Sequence, residues 1–324
     1  MAKIALLFPG QGSQYVGMGE DLYQGYPVAR NIFEQANSIL GFDLTKQLCF
    51  QGPGEELDLT ENAQPAVLTV SVACLEVLKP RISDLGFQIE AVAGHSLGEY
   101  TALVATGSLG FAQALKLVSQ RGQFMKEASR ENPGGMTALI GLSREEGERI
   151  CRESRDRGVV QIANLNCPGQ IVISGSRDAL ELAGKKAKEF GARRVVSLAV
   201  SGPFHSSLMK PAAEKLAREI DAVPMQVPEI PFIANVKGDF LQEPSRIKEA
   251  LVSQVSNPVR WEESIRRMRD KGLKFFLEVG PGKVLTGLMK RIDKTAIIYN
   301  VGDEKSLREA GEAVCKQENF ATPN

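Results

Sequence analysis

The chain has only two histidines, His95 and His205, and the first stands directly before a serine in Gly94-His95-Ser96-Leu97-Gly98. That stretch follows an apolar run ending at Ala93 and precedes a helical pattern beginning at Glu99, the strand–turn–helix setting of a nucleophile elbow. A serine hydroxyl is a weak nucleophile and needs a base within roughly 3 Å of its oxygen. His95 is poorly placed for this, because adjacent residues at a strand end project to opposite sides. His205, in Ser201-Gly202-Pro203-Phe204-His205-Ser206, stands in a Gly-Pro loop where two units of the chain would meet, and it is the expected base. Plainer readings stand beside this one. A lone loop histidine is usually solvated, and Ser96-x-x-Glu99 has the spacing of a helix capping box. No acid is visibly tied to His205; a carboxylate, an amide or a backbone carbonyl would each satisfy its second ring nitrogen.

A second feature is a charge in the wrong place. The helical stretch Phe111–Ala128 carries an apolar stripe of Phe111, Ala114, Leu115, Val118 and Met125, and Arg121 falls inside it. Its helical neighbours Leu117, Val118, Phe124 and Met125 include no acid. An inward-facing arginine without a partner is costly, so either a distant acid pairs with it or a ligand does. Since a guanidinium grips a carboxylate by two parallel hydrogen bonds, Arg121 hints at a dicarboxylic acyl group.

The glycines at 10, 12, 17 and 19 imitate a phosphate-binding loop. The Gly-x-Gly-x-x-Gly template fails at Tyr15, however, and no Gly-Lys-Ser/Thr follows. A Gly-rich turn can instead aim a backbone N–H at the serine's target. An oxyanion hole in this setting needs the N–H of the residue after the nucleophile, Leu97, and one from another loop, for which Gln11 is the candidate.

These residues need a scaffold to bring them together. Short apolar runs at Lys3–Phe8, Ile89–Ala93, Ile230–Asn235, Lys274–Val279 and Ala296–Tyr299 read as strands buried on both faces. Helical patterns lie between them, at Ala63–Leu78, Glu99–Ala105, Phe111–Ala128, Leu208–Glu219, Trp261–Lys271 and Gly282–Arg291. That alternation predicts an α/β protein with a mainly parallel sheet, like that of the α/β-hydrolases. The middle reads differently: strand Met136–Leu142, helix Arg144–Ser154, strands Val159–Asn164 and Gln170–Ser174 around Pro168-Gly169, helix Asp178–Phe190, strand Arg193–Ala199. That order, β-α-β-β-α-β, is the pattern of a small ferredoxin-like unit. The expected division is therefore a large discontinuous domain, 1–130 and 201–324, with a ferredoxin-like insertion at 131–200 and a ligand cleft between them. The tail after Leu307 is expected to fray beyond a short helix.

Composition excludes several classes. Lys plus Arg and Asp plus Glu are equal at 39 each, so net charge implies neither a nucleic-acid nor a membrane partner. No apolar run reaches the ~18 residues of a membrane span, and the apolar start before Pro9 is too short for a secretory signal. A cytoplasmic protein is expected. The five cysteines, Cys49, Cys74, Cys151, Cys167 and Cys315, form no Cys-x-x-Cys pair, so free thiols and no metal site are expected.

Taken in order, "FPGQGSQ", "NAQPA", "GHSLGEY", "QRG..M", "PGQIVISG", "GPFHS" and "NPVRW" resemble the motifs of the malonyl-CoA:acyl carrier protein transacylases, nearly end to end. The resemblance implies Ser96 as nucleophile, His205 as base, Arg121 as carboxylate clamp, and the Gln11 and Leu97 amides as oxyanion donors. It also implies that the backbone carbonyl of Gln254 orients His205, that Asn166 lines the cleft, and that Phe204 belongs to a malonyl-selective form that crowds branched acyl groups. No cofactor or metal is implied. The substrates would be malonyl-CoA and an acyl carrier protein, in fatty-acid synthesis, with the chain acting as a monomer. An acidic carrier would want a basic face. Lys185, Lys186, Lys188, Arg193 and Arg194, or Arg266, Arg267, Arg269 and Lys271, could supply it, although solvated helix faces account for both runs. The alternatives are a serine thioesterase or esterase using the same pair, a non-catalytic binding module, and a transferase for another extender unit such as methylmalonyl-CoA.

Overall fold

The computed structural model describes residues 2–84 and 87–318. Its strands are β1 (Ala2–Phe8), β2 (Phe87–Gly94), β3 (Gly134–Ile140), β4 (Val160–Cys167), β5 (Gln170–Ser176), β6 (Arg194–Ser197), β7 (Phe232–Ala234), β8 (Asp239–Leu241), β9 (Phe275–Val279) and β10 (Ile297–Val301). They form a six-stranded sheet in the order β10-β9-β1-β2-β7-β8 and a four-stranded sheet in the order β4-β5-β3-β6. In the large sheet every pair is parallel except β7 with β8. Ile4 through Phe8 of β1 are all buried, as a strand covered by helices on both faces requires.

The winding sets the site. From β1 the chain moves through β2 to β7 on one side, then returns to β9 and β10 on the other. Ligands in such sheets bind beyond the carboxyl ends of the strands where the winding reverses. The loop after β1 and the turn after β2 leave the sheet side by side at that edge: His95 N–H donates to the Phe8 carbonyl at 2.9 Å.

All pairs in the small sheet are antiparallel, with the two middle strands of the order, β5 and β3, running in opposite directions across their whole length. Helices Arg144–Glu153 and Arg177–Glu189 pack on it over a core of its own that includes Leu139, Ile150, Val160, Ile173 and Ala183. The first of these helices opens with a true capping box: Ser143 Oγ accepts from Glu146 N–H and the Glu146 carboxylate accepts from Ser143 N–H. β4 ties the two units together, since Leu165 N–H donates to the Val259 carbonyl and Val259 N–H to that of Ala163, both at 2.9 Å.

The structure departs from the sequence reading mostly in the helices. The pattern at Ala63–Leu78 is one helix, Thr60–Asp84, with Pro65 and Pro80 inside it. Ala66, Val67, Leu68, Val70, Val72, Ala73, Cys74 and Leu75 are all buried, so no polar face marks its period. Helices Glu20–Gly25, Pro27–Leu40, Gly54–Leu57 and Pro244–Gln254, and β8, add to the elements expected from sequence. The strand expected at Ile230–Asn235 is only three residues, β7. The last helix, Glu304–Glu318, is longer than a short terminal turn; residues 319–324, where fraying was expected, lie outside the described residues. Cys49, Cys74, Cys151 and Cys167 are buried and free; the side chain of Cys315 lies outside the described set.

Candidate active site

Ser96 occupies the tip of the turn between β2 and the helix Gly98–Ala105, with a left-handed φ of 52° that a non-glycine residue adopts at a cost. The flanking glycines are dictated by packing. A Cβ on Gly94 would lie 1.9 Å from the Gly98 backbone, and one on Gly98 would lie 2.2 Å from the Phe8 carbonyl oxygen. The turn is held from outside by Asn235, just past β7. Its side-chain oxygen accepts from Ser96 N–H at 2.8 Å and its amide donates to the Gly94 carbonyl at 2.7 Å.

His205, also in the left-handed region at φ 58°, faces the serine with Nε2 2.9 Å from Ser96 Oγ. Its Nδ1 lies 2.8 Å from the Gln254 carbonyl oxygen. A carbonyl only accepts, so Nδ1 carries the proton and Nε2 presents its lone pair to the hydroxyl. Burial, and after it the Arg121 charge, push the His205 pKa down to about 3. At neutral pH the imidazole is therefore uncharged, the form that can take a proton. His95 points elsewhere, with Nε2 2.9 Å from Asn166 Oδ1 and its ring tilted against Trp261.

Arg121 is 1% exposed. Its Nη1 donates to Gln64 Oε1 at 2.6 Å, and its Nη2 to Gln254 Oε1 at 2.9 Å and to Ser96 Oγ at 3.0 Å. Among the described residues no acid forms an ion pair with it, and its buried Nε–H has no acceptor at all. Buried donors without partners are rare, and this one belongs to the guanidinium whose Nη2 touches the nucleophile. The nearest carboxyl in the network belongs to Glu99, which accepts from Asn235 N–H at 2.5 Å and from the Gln254 side-chain amide. Burial pushes Glu99 up to about 8, against the opposing pull of those two donors and of Arg121. At neutral pH the guanidinium is accordingly the dominant full charge at the site.

The capping reading of Ser96 and Glu99 is thus corrected. The helix after the turn has no side-chain cap, and the Glu99 carboxyl turns inward to the Gln254 amide and the Asn235 backbone.

These groups open onto a cavity of about 450 Å³, lined by Gln11, Ser96, Leu97, Arg121, Asn166, Phe204 and His205, among others. Gln254 lies beneath its floor. Neither Gln11 N–H nor Leu97 N–H donates to any group among the described residues, which leaves both available to a ligand oxygen. The Gln11 side chain is tied to the clamp through Thr60 and Gln64: Gln64 Nε2 donates to Thr60 Oγ1, and Thr60 Oγ1 donates to Gln11 Oε1, each at 2.9 Å. The structure therefore gathers the predicted site residues around one cleft, all lining it except Gln254, which lies behind Arg121 and His205. Asn235, Gln64 and the Gln254 side chain were missed. Gln64 had a signal, since it sits in the Asn62-Ala63-Gln64-Pro65-Ala66 motif; Asn235 had only its place at the end of a short strand. Among the described residues no cluster of three His, Cys, Asp or Glu could hold a metal ion, and no helix is long and apolar enough to cross a membrane.

Of the two basic runs that could supply a docking face, two of the five cations in the first and three of the four in the second pair with neighbouring acids. Lys185 pairs with Glu181 and Lys186 with Glu153; Arg266 pairs with Glu262, Arg267 with Asp239 and Arg269 with Asp293. Lys271 stacks on the Phe240 ring.

An acyl transferase domain matches residues 5–310. The malonyl CoA-acyl carrier protein transacylase of Bacillus subtilis (strain 168) is 48% identical over 98% of this chain and 99% of its own length. An acyl carrier protein S-malonyltransferase from Vibrio cholerae superposes with a TM-score of 0.90, at 45% identity over 95% of this chain and 100% of that one. A type II PKS acyl-carrier protein in complex with its malonyl-transacylase gives 0.92, at 44% identity over 96% of this chain and 100% of the matched chain.

Proposed function

This chain belongs to the acyl transferase domain family, and from that membership we propose that it moves a malonyl group from malonyl-CoA to the phosphopantetheine thiol of an acyl carrier protein by way of a malonyl ester on Ser96. The observation that carries the reading is the guanidinium of Arg121, buried, unpaired with any acid among the described residues and 3.0 Å from the Ser96 hydroxyl oxygen.

Ser96 Oγ attacks the thioester carbonyl as His205 Nε2 takes its proton. The Gln254 carbonyl holds the other ring nitrogen and stabilises the imidazolium that forms. The carbonyl oxygen becomes an oxyanion between the Gln11 and Leu97 amides, each worth about 3–4 kcal/mol in comparable sites. Collapse of that intermediate expels coenzyme A as the thiol, protonated by His205. The carrier's thiol then gives its proton to His205 and attacks the ester by the same route in reverse.

Meanwhile Arg121 holds the far carboxylate. Because the guanidinium already touches the nucleophile, it reaches a carboxylate only one methylene away from the ester carbon, which favours malonyl over longer diacids. Phe204, 4% exposed at the cavity wall, leaves little room for a methyl branch. A serine esterase of neutral substrates is disfavoured by the same cation, whose burial would be a cost without return. The proposed chemistry uses side chains and backbone amides of a single chain, and we propose that it acts as a monomer. The division at 130/131 and 200/201 follows from the same reading, as the small sheet spans Gly134 to Ser197.

Incubation with malonyl-CoA and a carrier bearing phosphopantetheine should yield carrier heavier by one malonyl group, read by intact mass. Release of free malonate with the carrier unmodified would favour the thioesterase instead.

The depressed His205 pKa gives a pH prediction. The base stays unprotonated down to about pH 3 rather than failing near 6.5, so kcat/KM for acylation, which reports the free enzyme, should stay level from pH 7, below the Glu99 titration, to below 5. An acid limb near 6.5 would mean that the ring is not desolvated as described.

A further inference from the structure

A second recess, of about 860 Å³, lies between the two units and shares no lining residue with the catalytic cavity. β4 separates them: Asn164 and Asn166 face the catalytic side, whereas Gln161, Ile162 and Leu165 face this one. The opposite walls come from the helices Arg144–Glu153 and Pro244–Gln254.

Its charge is one-sided. The cations Arg144, Arg152, Arg155, Lys237, Arg246 and Arg260 line it, against the carboxylates Glu148 and Glu249. Arg144 is committed to Glu148 and Glu263, and Arg260 to Glu263. Among the described residues the other four cations and Glu249 make no ion pair, so four positive charges less one negative leave a surplus of three. Among the described residues the Nε–H of Arg260, buried at the same recess, has no hydrogen-bond acceptor. Two of the free arginines bear on one point. Burial pushes the Cys151 thiol in this wall up to about 12, and Arg155 and Arg152 are the cations opposing that rise.

We propose that this recess binds a small anion carrying two phosphate groups. Guanidinium forks match phosphate oxygens pairwise, and the volume lies within the range of small-molecule sites. One phosphate monoester brings about 1.5–2 negative charges at neutral pH, so two are needed to offset the surplus. An acidic protein surface is the other polyanion to weigh. The cations line the inside of a recess between two units rather than a convex face, which favours the small ligand.

Titration calorimetry of the full chain with inorganic pyrophosphate at low salt tests this. Saturable one-to-one binding is expected, tighter than that of inorganic phosphate. The double variant Arg152→Gln/Arg155→Gln should weaken it about tenfold or more, as lost charged hydrogen bonds do. Arg246→Gln alone should also weaken it, and carries the test if the double variant does not fold. Arg193→Gln/Arg194→Gln, outside the recess, should leave it unchanged. No saturation in the millimolar range, or equal affinity in the recess variants, overturns the proposal. So does loss of carrier-protein binding in those variants without any pyrophosphate binding, which would assign the recess to a protein partner.

Discussion

Ser96→Ala is expected to cut malonyl transfer to the carrier by on the order of 10⁴-fold or more, measured as carrier acylated per unit time. The variant keeps the amides of Gln11 and Leu97 and the clamp at Arg121, so substrate still binds; what disappears is the hydroxyl that His205 Nε2 faces. The fold should survive, because among the described residues the Ser96 hydroxyl hydrogen-bonds only to His205 and Arg121. Alanine also tolerates the left-handed turn at a cost similar to that of serine. A residual rate within tenfold of the parent would mean that the covalent path runs through another residue, or that the thiol attacks malonyl-CoA directly.

Arg121→Ala should show a different signature. Loss of the partner for a desolvated carboxylate costs about 3–4 kcal/mol, so kcat/KM for malonyl-CoA should fall about 10²- to 10³-fold. Acetyl-CoA has no carboxylate to lose, and its kcat/KM should fall far less, raising the acetyl-to-malonyl ratio by a similar factor. Arg121→Lys should recover little, since an ammonium cannot reproduce the planar fork that Gln64, Gln254 and Ser96 now hold in place. If the ratio is unchanged in both variants, Arg121 is a structural cation and selectivity arises elsewhere.

How much of this was legible in the sequence differs from residue to residue. Ser96 and His205 could be paired because two histidines leave little choice and adjacency rules out one of them. Arg121 was legible as a charge interrupting an apolar stripe, and it is indeed buried. The role of Gln254 came through resemblance alone, since a backbone carbonyl leaves no mark on residue type. Its side chain, bridging Arg121, Glu99 and the Ser96 carbonyl, was invisible for another reason: those partners lie more than 130 residues away in the chain. Asn235 is hidden in the same way, 139 residues from the turn it supports. Glu99 misled because a capping box is a local pattern and the competing partners were tertiary. The partners of two cations in the second basic run are tertiary as well: Asp239 and Asp293, which pair with Arg267 and Arg269, sit on other elements. The alternation of strands and helices revealed the class of fold, but that β9 rather than β7 flanks β1 is decided by packing.

The central claim is that one hydroxyl takes up a short diacid whose far end rests on a buried guanidinium. The most direct measurement is intact mass of the parent chain mixed with malonyl-CoA and no carrier, followed by peptide mapping. The account predicts a single malonyl adduct on the peptide holding Ser96, formed well in preference to an acetyl adduct when both thioesters compete. An unmodified chain that nonetheless consumes malonyl-CoA, or an adduct on any other residue, would contradict it.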